Sequence, residues 1–130
     1  MSQITFLENR LFPVLLAIIG LGMLGIWIKD IASGKFSGQG HFFKWVEGEG
    51  RLCLHIVAEF LTGIVLILAA IGLFYEASWS KNVAFVGLGA VIYSAINSSG
   101  WVIHKKERIP YGIPMWITLL ISMCILFVLF

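Results

Sequence analysis

Charge is what this chain has least of. Asp, Glu, Lys and Arg make up 12% of its 130 residues, about half the roughly 25% usual for a soluble domain. That deficit excludes an ordinary water-soluble globule as the expected class. The net charge is only +2, and no basic run carries interleaved aromatics, so nucleic-acid binding is excluded too. Cysteine is nearly absent. Cys53 and Cys124 belong to no C-x-x-C motif, which removes the usual signatures of thiol–disulfide exchange and of a zinc site. They lie at depths ~15 Å apart in the topology argued below, too far for a disulfide, and read as two small buried hydrophobes. Proline stands only at the openings of apolar runs, as Pro13, Pro110 and Pro114, where a missing N–H does little harm. The glycine-rich stretch 33–40 lacks both the spacing and the Lys-Ser/Thr ending of a phosphate loop. Ser98 and Ser99 share one helix with His104, out of its reach, and no nucleophile elbow is present, so hydrolytic chemistry has no support.

Apolar residues, in contrast, fill 59% of the chain. They gather in four runs, at about 11–28, 52–75, 83–103 and 111–130. A helix crosses the hydrocarbon of a bilayer with about 20 such residues. The expectation is an all-α, polytopic membrane protein: a four-helix transmembrane bundle forming one integral membrane domain over 1–130. The first run is too long for the apolar core of a signal peptide and is followed by no clear A-x-A site, so it is expected to stay as a span. The connection 29–50 is the longest. Its second half, 41–49, alternates aromatics with charges (His41, Phe42, Phe43, Lys44, Trp45, Val46, Glu47) and is expected to lie in the interface, as an anchor or as a lid. No internal repeat is visible, which leaves a transporter built from inverted halves without support.

Basic residues choose the orientation. Lys29, Lys35, Lys44, Arg51, Lys105, Lys106 and Arg108 fall in the two connections on one side, against Arg10 and Lys81 on the other. The positive-inside rule therefore puts 29–51 and 104–110 in the cytoplasm and both termini outside, in an inner or plasma membrane. Trp27, Trp45, Trp101 and Tyr111 would then mark the inner interface, and Tyr75 and Trp79 the outer one.

The second run carries the pattern closest to chemistry. His55 and Glu59 stand four residues apart, on one face of a helix, and Thr62, Gly63 and Ala70 continue that stripe. On the third run Gly87, Ala90, Ser94, Asn97, Ser98 and His104 make another. Small and polar stripes of this kind bring membrane helices together, which makes Gly63, Gly87, Ala90 and Ser94 the expected packing residues. By helix rise, Glu59, Asn97 and Thr118 lie within roughly 10 Å of the cytoplasmic interface, with His55 and His104 nearer the surface. Glu59, His55, Asn97, Ser98, Thr118 and His104 thus form a polar layer in the inner third of the bundle.

An ionisable residue inside a membrane span is a functional candidate with its partner named. The leading reading is a small-solute or ion-binding protein, a transporter component, in which Glu59 binds a cation or exchanges a proton. A second is a non-catalytic accessory or assembly subunit, in which Glu59, His55 and Asn97 bond to one another and fasten helices. A third is a metalloenzyme or redox subunit, with His55, Glu59 and His104 (or His41) as ligands suited to zinc, iron or manganese, or His55 and His104 as the axial pair of a haem. The non-enzymatic readings are favoured, and no cofactor is assigned. The expected partners are the lipid bilayer and either a second copy or a membrane partner subunit; Gly20, Gly22 and Gly25 on the first run could seat that second copy. The chain departs from small multidrug transporters, whose membrane glutamate lies in the first span, because no charge falls between Arg10 and Lys29.

Overall fold

The computed structural model describes residues 3–32, 50–104 and 106–130. The expected interfacial segment 41–49, with His41 and Trp45, lies outside the described residues, as do the side chains of Arg51, Cys53, Trp101, Lys105, Arg108 and Tyr111.

Every element among the described residues is helical. Helix α1 (Gln3–Phe6), a π-helical turn (Leu7–Leu11) and α2 (Phe12–Ala32) follow one another without a break. Then come α3 (Gly50–Phe74), α4 (Ser80–Ile103), a 3-10 turn (Lys106–Arg108) and α5 (Ile109–Leu129). Four segments are long and apolar enough to cross a membrane: Gln3–Lys29, Leu54–Phe74, Ser80–Gly100 and Gly112–Leu129. The apolar runs lack β-branched alternation, and intrahelical hydrogen bonds satisfy most of the backbone, as a bilayer would demand; Pro114 lies inside α5 and offers no N–H to its ladder.

Neighbours in sequence are neighbours in space. Helix α2 packs on α3, α3 on α4, and α4 on α5. Leu16, Leu66, Ala69, Ala84, Leu88 and Ile125 are fully or almost fully buried and belong to one core cluster. The outward sides of α2, α3 and α5 are mainly Ile, Leu, Val and Phe, and α4 mixes such residues with Gly89, Tyr93, Asn97 and Gly100.

Glycines set the closest approaches. A Cβ on Gly20 would fall 2.8 Å from the Gly63 carbonyl oxygen, and one on Gly63 would fall 3.0 Å from the Gly20 carbonyl oxygen, so α2 and α3 meet backbone to backbone at this point. A Cβ on Gly87 would fall 2.9 Å from Leu66 Cδ2, at the α3–α4 contact. Gly20 therefore does not face a second copy: α3 already occupies its side of α2. Gly22 and Gly25 do look onto open space. Cys124 also differs from expectation. It is exposed on α5, not buried, because the buried row of that helix runs through Ser122, Ile125 and Leu129.

At the α3–α4 turn the chain reverses over Tyr75–Trp79. The Ala77 N–H bonds the Gly72 carbonyl at 2.8 Å and the Glu76 N–H bonds that of Leu73 at 3.1 Å. This closes α3 in the Schellman manner, with Glu76 at φ 56° in the left-handed position that glycine usually holds. The glutamate side chain has a use there: Asn9 Nδ2 donates to its Oε1 at 2.7 Å. Lys81 Nζ reaches Glu8 Oε2 at 3.1 Å, and the Arg10 guanidinium lies 5.2 Å over the Phe74 ring. The polar lead before the first apolar run is thus tied to the far turn.

Among the described residues one core group is unsatisfied. Ser122 is wholly buried and its Oγ has no hydrogen-bond partner. Leaving a buried hydroxyl unpaired costs about 1–3 kcal/mol. Ser122→Ala is expected to stabilise the fold by about 1 kcal/mol, read as a raised Tm in detergent; an equal or lower Tm would show that the hydroxyl has a partner after all.

Candidate functional site

Three helices converge on Glu59. It faces inward from α3 because the apolar rows beside it, Leu54, Val57, Leu61 and Ile64, are turned outward. Trp27 on α2 donates its indole Nε1–H to Oε2. Ser94 on α4 donates its hydroxyl to Oε1 at 2.7 Å. His55, one turn earlier on α3, places Nε2 at 3.3 Å from the same Oε1. The Trp27 ring meets that of His55 edge to face, with centroids 6.2 Å apart. An ionised carboxylate offers about four acceptor positions, and three are used here.

The pair is not sealed. The His55 side chain keeps 28% of its surface exposed and that of Glu59 keeps 16%. Thr62, buried one turn further in, bonds back to the Ala58 carbonyl at 2.8 Å and takes no part.

The other expected members of the layer lie elsewhere. Asn97 is exposed, turned well round α4 from the buried row Ala84, Leu88, Val91, Ala95 and Val102. Ser98 is half-buried one turn beyond Ser94. Thr118 is half-buried on α5, which packs on α4 rather than on α3. His104 is exposed at the C-cap of α4, about 15 Å along the helix from Ser94 at 1.5 Å per residue. Among the described residues no hydrogen bond or ion pair links any of these four to Glu59. Nor do three or more His, Cys, Asp or Glu side chains gather at any described position in a way that could hold a metal ion. The structure therefore does not bring His104 to His55 and Glu59, as the expected metal site requires, nor into axial opposition to His55, as a haem would need; His41 lies outside the described residues. Of the expected packing residues, Gly63 and Gly87 sit at the helix contacts already described, Ala90 is half-buried, and Ser94 serves as the donor to Glu59.

Trp27 is the member of the site that sequence reasoning misses. Standing at the end of its apolar run, it reads as an interface anchor. Yet α2 continues to Ala32, which sets Trp27 more than a turn inside the helix end and level with Glu59. Trp116 behaves likewise on the other side of the bundle: its Nε1–H donates to Ser99 Oγ at 2.9 Å, while Ser99 donates to the Ala95 carbonyl at 2.8 Å.

With this geometry in hand, the relation to known proteins is simple to state. A family profile described as a domain of unknown function (DUF8058) matches residues 8–130. The chain belongs to the DUF8058 family. That match covers all four long helices and the whole Trp27–Glu59–Ser94 arrangement. Comparison with curated proteins gives no match, and comparison with solved structures gives none either.

Proposed function

We propose that this DUF8058 protein is a non-catalytic integral membrane protein of the accessory class. It crosses an inner or plasma membrane four times, as a single domain, with 29–51 and 104–110 in the cytoplasm and both termini outside. Its acid on the second span fastens three helices just beneath the cytoplasmic headgroups. One observation carries this reading: both Glu59 oxygens already accept from protein donors, Trp27 on one side and Ser94 with His55 on the other. A cation entering there would find about one acceptor position of the carboxylate still open and would need its other ligands from elsewhere. Four apolar helices with outward faces mainly of Ile, Leu, Val and Phe support the membrane placement.

A second reading has its own support in the residual exposure of His55 and Glu59. It makes the pair a proton- or cation-binding site of a small-solute transporter component. Glu59→Gln separates the two. For fastening, the variant is expected to lower Tm by a few degrees, while purified protein in liposomes carries the same proton and cation flux as empty vesicles, before and after the change. For transport, wild-type liposomes show flux that Glu59→Gln abolishes while the fold survives. Flux of that kind would overturn the accessory reading. Elemental analysis and a visible absorption spectrum of the purified protein test the metalloenzyme or redox alternative directly.

A further inference from the structure

Helix α4 is the least apolar of the four long helices, and its polar content is not all turned inward. Gly89, Tyr93, Asn97 and Gly100 lie on its exposed side, spaced four, four and three residues apart, so they form one stripe. Tyr93 is 73% exposed near the middle of the helix. A Cβ on Gly89 or Gly100 would meet nothing within 4 Å. The outward faces of α2, α3 and α5 are lined by Ile, Leu, Val and Phe. In a bilayer, which the membrane reading above assumes, the α4 stripe points a phenol and an amide at acyl chains that can accept no hydrogen bond. Polar groups in that position find partners on another helix. Among the described residues of this chain, none supplies one to Asn97 or Tyr93.

We propose that this face of α4 docks a second copy of the same chain. The occupant follows from the chemistry of the two polar groups. Copies inserted with one orientation are related by a twofold axis along the membrane normal, and residues beside that axis meet themselves. Asn97 both donates and accepts, and so does the Tyr93 hydroxyl, so each can satisfy its own copy. Gly89 and Gly100, one above and one below, let the two backbones approach. The α2 glycines named from the sequence are not the seat: Gly20 is used within the chain, and Gly22 and Gly25 stand among purely apolar neighbours, with no polar group in need of a partner.

The test uses full-length protein in native membranes, in a background carrying Cys53→Ser and Cys124→Ser. Oxidative cross-linking of Asn97→Cys and of Gly89→Cys is expected to give a dimer band, while Leu61→Cys on the exposed face of α3 and Ile117→Cys on that of α5 give none. In detergent, native mass spectrometry of the otherwise wild-type protein is expected to show a dimer. Asn97→Leu should weaken it roughly tenfold, the scale of one or two intramembrane hydrogen bonds. Asn97 is exposed in the single chain, so the variant leaves the packing of each copy intact. A monomer with no cross-link at positions 89 and 97 overturns the proposal, as does a cross-link there to a different protein. Carbonate extraction keeps the two readings apart: protein that stays in the pellet yet fails to cross-link sinks the dimer alone, whereas protein released to the supernatant sinks the membrane placement and the dimer with it.

Discussion

Gly20→Val is expected to leave little folded protein. A Cβ at this position would sit 2.8 Å from the Gly63 carbonyl oxygen and 3.0 Å from Ile67 Cγ1. The nearest atom belongs to a backbone, so no rotamer change can make room. The helices must separate, and separation would loosen Leu16, Leu66 and Ala69, which are fully buried beside the contact. Overpacking of a tight core costs about 1–3 kcal/mol for side chains that can shift; here a cost of about 3 kcal/mol or more is expected, because both backbones are held by their own helices. Fluorescence-detected size-exclusion chromatography of a detergent extract should lose its monodisperse peak. Gly22→Val, which points into open space, supplies the control and should stay within about 0.5 kcal/mol of wild type. A Gly20→Val protein with an unchanged peak and Tm would mean that α2 and α3 do not meet at these glycines.

Glu59→Leu should destabilise the bundle by about 2–3 kcal/mol. Three donors lose their acceptor at once; two of these bonds, from Trp27 and Ser94, run between helices, and such bonds average about 0.6 kcal/mol each, with the strongest near 1.7. The remainder comes from leaving the part-buried Ser94 hydroxyl short of its acceptor. Trp27→Phe and Ser94→Ala should each cost less than Glu59→Leu, and either one combined with Glu59→Leu should add little to it, since the acceptor is already gone. Thermal unfolding of the three single and two double variants in one detergent measures this. Full additivity would show that the carboxylate does not join these helices.

The helices themselves were legible from composition. Runs of about 20 apolar residues with so little charge between them have one economical backbone solution, and the four long helices follow it. The inward position of Glu59 was also legible, from the stripe it shares with His55 and Gly63. The partners were not. Spacing within one helix says nothing about how far its neighbour is rotated, and Asn97, three residues from Ser94, swings outward on a helix whose buried row runs through Val91 and Ala95. The bond from Trp27 to Glu59 was hidden for a different reason: the apolar run ends at Ile28, but the helix carries on through Lys29 and Asp30 to Ala32. Hydropathy marks where greasy residues stop, not where backbone hydrogen bonding stops. The ties from Glu8 and Asn9 to the far turn had no signature at all, since each joins residues more than 60 positions apart.

The nearest-neighbour order of the helices bears on how the molecule is made. Helices α3, α4 and α5 each find their main contact in the helix synthesised just before, so most of the packing can form in the order of synthesis. Trp27, Glu59 and Ser94 are all in place once Ser80–Ile103 has been threaded. The last helix then closes a structure whose polar lock is already shut, adding packing and an indole bond from Trp116 to Ser99.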